Sequence, residues 1–289
     1  MKKLFLLLTA IAVTTGLAAC AQTPTPTQAP QATQPPQPTQ KVIANPLVRM
    51  STTTSVNDSG LLPYLQPYFE QETGYKLEVT SAGTGAAIEK ARKGDADLLL
   101  VHSKSQEEAF INEGFDEKRV PFMYNFFVIV GPKDDPAGVK NAKTAADAFK
   151  MIADKGAKFV TRGDKSGTNT AELNIWKAAS IDPTGKDWYV NIGGGMGQAL
   201  TVASEQGAYT LSDKATFLAT KTDLQIVLGE SDDMKNTYSL IAVSPKRFND
   251  TNYEGAMAFI DWATSERGLE LISQYGKEKY GEQLFFILK

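Results

Sequence analysis

Past residue 42 the apolar positions come as short runs, separated by stretches with helical spacing. Leu47, Val48 and Met50 read as a strand over 47–50 that ends in the polar run Ser51-Thr52-Thr53-Thr54-Ser55. A helix is predicted over 61–73, capped by Asn57, Asp58 or Ser59 and stopped at Gly74. Pro63 suits its first turn, whereas Pro67 does not suit an interior, so a kink or a late start is expected. A second strand over 75–81 leads through Gly83-Thr84-Gly85 into a helix ending near Lys93. The run "DLLLV" at 97–101 is continuously apolar, as a central parallel strand covered on both faces requires. His102-Ser103 and a helix over 106–113 follow. Strand, loop and helix in repeated order predict a doubly wound α/β lobe.

A strand over 126–130 and a helix over 144–155 then open a second series at 158–161. It continues through a helix over 166–179, the run "YVNIGGGMGQAL", a helix to Gln206, "AYTLSDKATFLA", a strand over 224–228 and "SLIAV" at 239–243. The tail reads as one long amphipathic helix over 253–274. No unit is repeated in tandem, but the chain reads as two α/β lobes whose strands end in Gly, Ser and Thr. Trp176, Trp188 and Trp262 fall within or beside helices at apolar spacing and read as packing.

The first 40 residues change the picture of where this chain works. Lys2-Lys3, an apolar run over 4–13 and Leu17-Ala18-Ala19-Cys20 read as a signal peptide over 1–19. Its end is similar to the lipobox of bacterial lipoproteins, in which the cysteine carries the lipid. Cys20 is the single cysteine, so no internal disulfide is possible. Residues 20–41 are rich in Pro, Thr and Gln and read as an extended tether. The expected location is outside the cytoplasm, lipid-anchored to the outer face of the cell membrane. The formal charge is −3, with no basic block, which argues against nucleic acid as ligand.

The recurring device is a strand whose carboxyl end delivers small polar residues to a helix start. It occurs at 52–55, at 81–85, at Ser103 and at Ser166-Gly167-Thr168. Ligands of open parallel sheets sit outside such strand ends, and helix N-termini favour anions. One such turn is most often only a cap; several, divided between two lobes, point to an oxyanion cleft. Arg162 adds a planar fork of fixed charge. Asp164 can orient that guanidinium, or accept a proton from a protonated ligand such as phosphate. His102 is the only histidine, which excludes a histidine cluster for zinc. A serine hydrolase would need His102 beside a serine with an acid behind it, and no G-x-S-x-G elbow occurs. "GTGAAIEK" is no P-loop, and "GGGMG" at 193–197 is no dinucleotide fingerprint.

The runs "TTTSVNDSGLLPYLQPYFEQETG", "GDADLLLVH", "FVIVGPKDDPAG", "TRGDKSGT", "GGGMGQAL" and "AYTLSDKATFLA", in this order over 47–286, resemble the tungstate-binding proteins of ABC importers. The resemblance implies a type II periplasmic-binding-protein fold: two α/β lobes joined by two crossing hinge strands, with an anion between them. It places the crossings at "NFFVIVGP" and "YSLIAVSP", with 42–129 and 239–289 as one lobe and 130–238 as the other. It implies tungstate, or molybdate, as ligand, no cofactor, no catalysis, a monomer, and an ABC permease with its cytoplasmic ATPase as partners. Carried over by position, Thr53, Thr54 and Ser55 donate from one lobe, and Arg162, Ser166, Gly167 and Thr168 from the other. Ser81 and Ser103 are added from their strand-end positions. Ser103-Lys104 and Asn169 depart from the family pattern near the site, which bears on selectivity. The rival readings are a binding protein for molybdate, sulfate or phosphate, a sensor ectodomain, and a secreted serine hydrolase.

Overall fold

The computed structural model describes residues 43–288 apart from Glu117; the leader, Cys20 and the tether lie outside the described residues. The chain begins with β1 (Leu47–Thr53), α1 (Thr54–Asp58), α2 (Leu61–Thr73), β2 (Lys76–Ala82), α3 (Thr84–Arg92), β3 (Leu98–Val101) and α4 (Lys104–Asn112). The strands β2, β1 and β3 are parallel and adjacent in that order. Every residue of β3 is buried. Leu98 and Leu100 join one core while Leu99 and Val101 join another, which is why this strand shows no polar alternation. α2 runs unbroken through Pro67, so the expected late start does not occur.

The strand β4 (Val120–Gly131) is much longer than the apolar run 126–130 suggested. Its first half pairs antiparallel with β9 (Lys235–Ala242), and its second half with β7 (Thr210–Asp213) and β8 (Gln225–Leu228). A register shift between Pro121 and Met123 absorbs the proline, which has no N–H to give the ladder. β9 also pairs antiparallel with β3, so the β2-β1-β3 group is continued by β9 and β4.

Between these two long strands lie α5 (Ala145–Lys155), β5 (Phe159–Thr161), α6 (Gly167–Ala178), β6 (Tyr189–Asn191), α7 (Met196–Gln206) and, after β7, α8 (Lys214–Ala219). β5 pairs with β6, and a bridge from Phe159 to Tyr209 ties them to the start of β7. This group has its own apolar cores, one around Phe149, Phe159 and Trp176 and one around Val160, Met196 and Leu200.

The tail is two helices, not one: α9 (Tyr253–Thr264) and α10 (Glu266–Gln274), followed by α11 (Lys277–Tyr280) and β10 (Phe286–Ile287). Ser265 is extended and its hydroxyl accepts the N–H of Gly268, which restarts the helix with a new cap. Gly268 allows this sharp join, because a Cβ there would lie 2.3 Å from the Trp262 carbonyl oxygen. Among the described residues no helix is long and apolar enough to cross a membrane.

Candidate functional site

The carboxyl end of β1 and the start of α1 supply the first hydroxyls. Thr53 occupies the N-cap position of α1, yet its side chain makes no capping bond. Its Oγ1 lies 3.1 Å from Ser55 Oγ, and Ser55 Oγ lies 3.2 Å from His102 Nε2 at the end of β3. Thr53 and Ser55 are both fully buried.

The second set comes from the turn between β5 and α6. Gly163 (φ +62°) bends the chain directly over the Asn191 amide, where a Cβ would lie 2.0 Å from Oδ1; only glycine fits. Lys165 is also left-handed, at φ 56°. Asp164 Oδ1 accepts the N–H of Ser166 at 3.1 Å, and Asp164 Oδ2 accepts from Arg162 Nη2 at 2.6 Å. Ser166 caps α6, its Oγ accepting the N–H of Asn169, which leaves the hydroxyl hydrogen available. The ordinary cap reading is therefore true of Ser166 and false of Thr53.

Arg162 joins the two sets. Its side chain is 2 % exposed. It donates from Nη2 to Thr54 Oγ1 at 3.0 Å, from Nη1 to Thr168 Oγ1 at 3.4 Å, and from Nε to the Gly194 carbonyl at 3.3 Å. Other contacts close the same seam. The Gly167 N–H donates to Thr84 Oγ1 at 3.1 Å, and Gln106 Nε2 donates to the Lys165 carbonyl and to Thr170. The approach is too tight for side chains at Gly83 and Gly167: a Cβ on Gly83 would meet the Asp164 carbonyl oxygen at 3.0 Å, and one on Gly167 would meet the His102 ring at 2.7 Å.

Of the residues singled out in the sequence, Thr53, Thr54, Ser55, Arg162, Ser166, Gly167 and Thr168 are thus brought together. Ser103 stands beside them, accepting from Gln106 Nε2 at 3.1 Å rather than capping α4. Ser81 is exposed on β2 and has none of these contacts; Gly83 and Thr84, one turn on, hold the position instead. His102 and Gly167 also line a cavity of about 640 Å³, whose other walls include Ser103, Arg119, Asn174 and Lys235.

Sequence reasoning missed what stands behind His102. Its Nδ1 lies 2.8 Å from Asn236 Oδ1. The Asn236 amide nitrogen donates to Asn125 Oδ1 at 2.8 Å and to the Tyr238 hydroxyl at 2.9 Å. Asn125 Nδ2 donates in turn to Asp213 Oδ1 at 3.4 Å. Burial pushes the His102 pKa down to about 4, so the ring is neutral at pH 7. Burial pushes the Asp213 carboxyl up to about 6, against the N–H of Thr216 and the charge of Arg162. No local signal marked this chain, because His102 and Asn236 are separated by 134 positions. Ser55 and His102 satisfy half of the requirement for a serine hydrolase. The residue behind the histidine is a neutral amide, however, and Ser55 is sealed from solvent.

Fold and seam together define a solute-binding protein rather than a catalyst: donors from two strand groups face one another around a buried arginine. A family model of the PBP superfamily domain matches residues 24–267. The tungstate-binding protein TupA of Peptoclostridium acidaminophilum is 41% identical over 99% of this chain and 98% of its own. Among solved structures, the tungstate ABC transporter of Geobacter sulfurreducens superposes with a TM-score of 0.74 at 49% identity, covering 79% of this chain and 98% of that one. The tungstate-binding protein TupA of Desulfovibrio alaskensis G20 gives 0.69 at 38% identity, covering 84% and 99%. The chain belongs to the PBP superfamily and, within it, to the TupA family of ABC-importer binding proteins. The resemblance and the α/β fold class read from the motifs are confirmed, and the family is one of transport proteins, not enzymes.

Proposed function

We propose that this protein captures tungstate between two lobes and delivers it to an ABC permease driven by a cytoplasmic ATPase. The observation that carries the reading is Arg162, buried and reaching hydroxyls of both strand groups, Thr54 on one side and Thr168 on the other. An anion replacing these contacts meets a planar cation and the hydroxyls of Thr53, Thr54, Ser55, Ser166 and Thr168, without leaving a buried donor unpaired. Thr53, Ser55 and Ser166 are fully buried in this closed arrangement, so entry requires the seam to open. Closure over the anion is then a population shift driven by contacts made only in the closed state.

The lobe division supported by strand pairing falls within β4, where partners change between Phe126 and Phe127. The return crossing lies before Lys235, since β9 pairs with the first group from that residue on. Both oxygens of Asp164 already accept hydrogen bonds, which favours a fully deprotonated dianion over a ligand that must donate a proton there. We read Cys20 as lipidated, holding the protein to the outer face of the membrane; Cys20→Ala releases it into the soluble fraction without changing its affinity.

The test is calorimetric titration with tungstate, molybdate, sulfate and phosphate. Tight tungstate binding with little heat from sulfate or phosphate is expected. Molybdate binding as tight or tighter would keep the site and change the cargo. Ligand-free protein that binds none of the four would remove the reading.

A further inference from the structure

Resting on the oxyanion reading, we infer that Asp213 is a positioning residue that takes up one proton when the anion binds, releasing the Ser55 hydroxyl hydrogen toward the ligand. Asp213 is fully buried, and its Oδ2 has no hydrogen-bond partner, while Oδ1 accepts from Thr216 N–H at 2.9 Å and from Asn125. It sits close under the site: Thr216 Oγ1, one turn along α8, donates to the carbonyl of Ser55 at 3.1 Å.

The hydrogen bonds of this chain all run in one direction. The Asn236 nitrogen is committed to Asn125 and Tyr238, so its oxygen faces His102. The proton of the neutral ring is therefore on Nδ1, and Nε2 is an acceptor. The Ser55 hydroxyl must donate to it. Every hydrogen thus points from Ser55 through His102, Asn236 and Asn125 toward the Asp213 carboxylate. In that state Ser55 turns a lone pair, not a hydrogen, to its other neighbours, and Thr53 donates to it. A neutral Asp213 carboxyl can donate as well as accept. With the proton on Oδ1, facing Asn125, the two amides can turn over and Tyr238 can donate to Asn236. The ring of His102 gives up its Nδ1 proton to water and takes one from water on Nε2 while the seam is open, so that it stays neutral, donates from Nε2 and frees the Ser55 hydrogen.

Charge argues in the same direction. The groups facing Asp213 are Asn125 on β4, Asn236 and Tyr238 on β9, Ser55 on α1, neutral His102 after β3, and Arg162 after β5. On α8 itself, Lys214 is held in ion pairs with Glu230 and Glu282. Arg162 is already paired with Asp164. With Asp213 ionised, the site carries one uncompensated negative charge before a dianion arrives. A proton from bulk water, bound at Asp213, removes it. Burial with one unpartnered oxygen already holds this carboxyl near 6, and a dianion raises it further.

The experiment is calorimetric titration of the purified full chain with tungstate from pH 6.5 to 8.5, in paired buffers of different ionisation enthalpy. Expected is uptake approaching about one proton per anion, with the dissociation constant rising by up to about tenfold per pH unit. Asp213→Asn keeps the cap to Thr216 through its amide oxygen. In that variant the uptake falls to near zero and the pH dependence flattens. An infrared difference spectrum of the unmodified protein, with and without tungstate, gains a protonated-carboxyl band, a readout that stands even if the variant does not fold. Tight binding without proton uptake or a new carboxyl band overturns the proposal, as does uptake that persists in Asp213→Asn. Loss of tungstate binding by the unmodified protein at every pH would instead overturn the anion reading on which this one rests.

Discussion

Replacing Arg162 by alanine removes a fixed cation that touches both halves of the site. In the closed structure its fork holds Asp164 Oδ2 at 2.6 Å, Thr54 Oγ1 at 3.0 Å and Thr168 Oγ1 at 3.4 Å. A bound dianion would take over at least one of these donors as a charge-assisted hydrogen bond. Such a bond contributes about 1.5–3 kcal/mol, which is roughly a ten- to 150-fold change in dissociation constant. The loss should sit at the upper end, because alanine also leaves the Asp164 carboxylate facing the anion without its partner. Adding Asp164→Asn removes that repulsion and should recover part of the affinity. Arg162→Lys keeps the charge but loses the planar fork, and should fall between the two. The assay is calorimetry with tungstate, beside a thermal melt without anion to show that the variant folds. A folded Arg162→Ala protein that binds within about threefold of the unmodified one would refute the assignment, since that is less than the lower limit for one charged contact.

Other substitutions act on neighbouring parts of the site. Gly167→Ala puts a methyl group 2.7 Å from the His102 ring, an overpacking of at least about 1 kcal/mol, and should weaken tungstate binding about fivefold or more in titration. Glu172 accepts from Thr161, Asn169, Trp176 and Tyr189 beneath the Arg162 turn; Glu172→Ala strands those donors and should cost about 3 kcal/mol or more in a urea melt. Two groups of the hydrogen-bond chain contribute to acid stability with opposite sign. His102 has its folded pKa depressed from 6.5 to about 4, so the folded state binds fewer protons and loses stability as pH falls from 6.5 to 4. Asp213 has its folded pKa raised from 3.8 to about 6, so its contribution is full below 3.8 and is lost as pH rises through 6. In Asp213→Asn the opposing carboxyl contribution is removed, so denaturant melts should lose about 2 kcal/mol more between pH 6.5 and 4 than in the unmodified protein.

Much of this architecture could be read along the chain because its causes are local. The run 98–101 is apolar at every position because β3 is covered on both faces, and a buried strand needs no partner to reveal that pattern. Gly74 ends α2 in a left-handed cap, and Ser166 starts α6 by accepting the N–H of Asn169, both within a few residues. Arg162 was conspicuous for the same reason, a buried-type strand followed at once by a fork of charge, a turn and a helix start. The break between α9 and α10 escaped, because apolar helical spacing continues across Ser265, while the extended Ser265 cap and the close approach of Gly268 to Trp262 separate the two.

What the tertiary structure alone decided is which strand ends meet. Thr54 and Arg162 are separated by 108 positions, Thr84 and Gly167 by 83, and each pair is joined only because β4 and β9 fold two strand groups against one seam. The same is true of the chain from Ser55 to Asp213, whose members come from five different stretches and carry no shared spacing. Periodicity records the environment of one element at a time, whereas a hydrogen bond between elements depends on strand order and register, which the pattern of any single segment does not contain. The sequence thus determined the elements, the kind of ligand chemistry and the arginine that anchors it. The fold determined which hydroxyls face that arginine, and which buried groups stand behind Ser55 and His102.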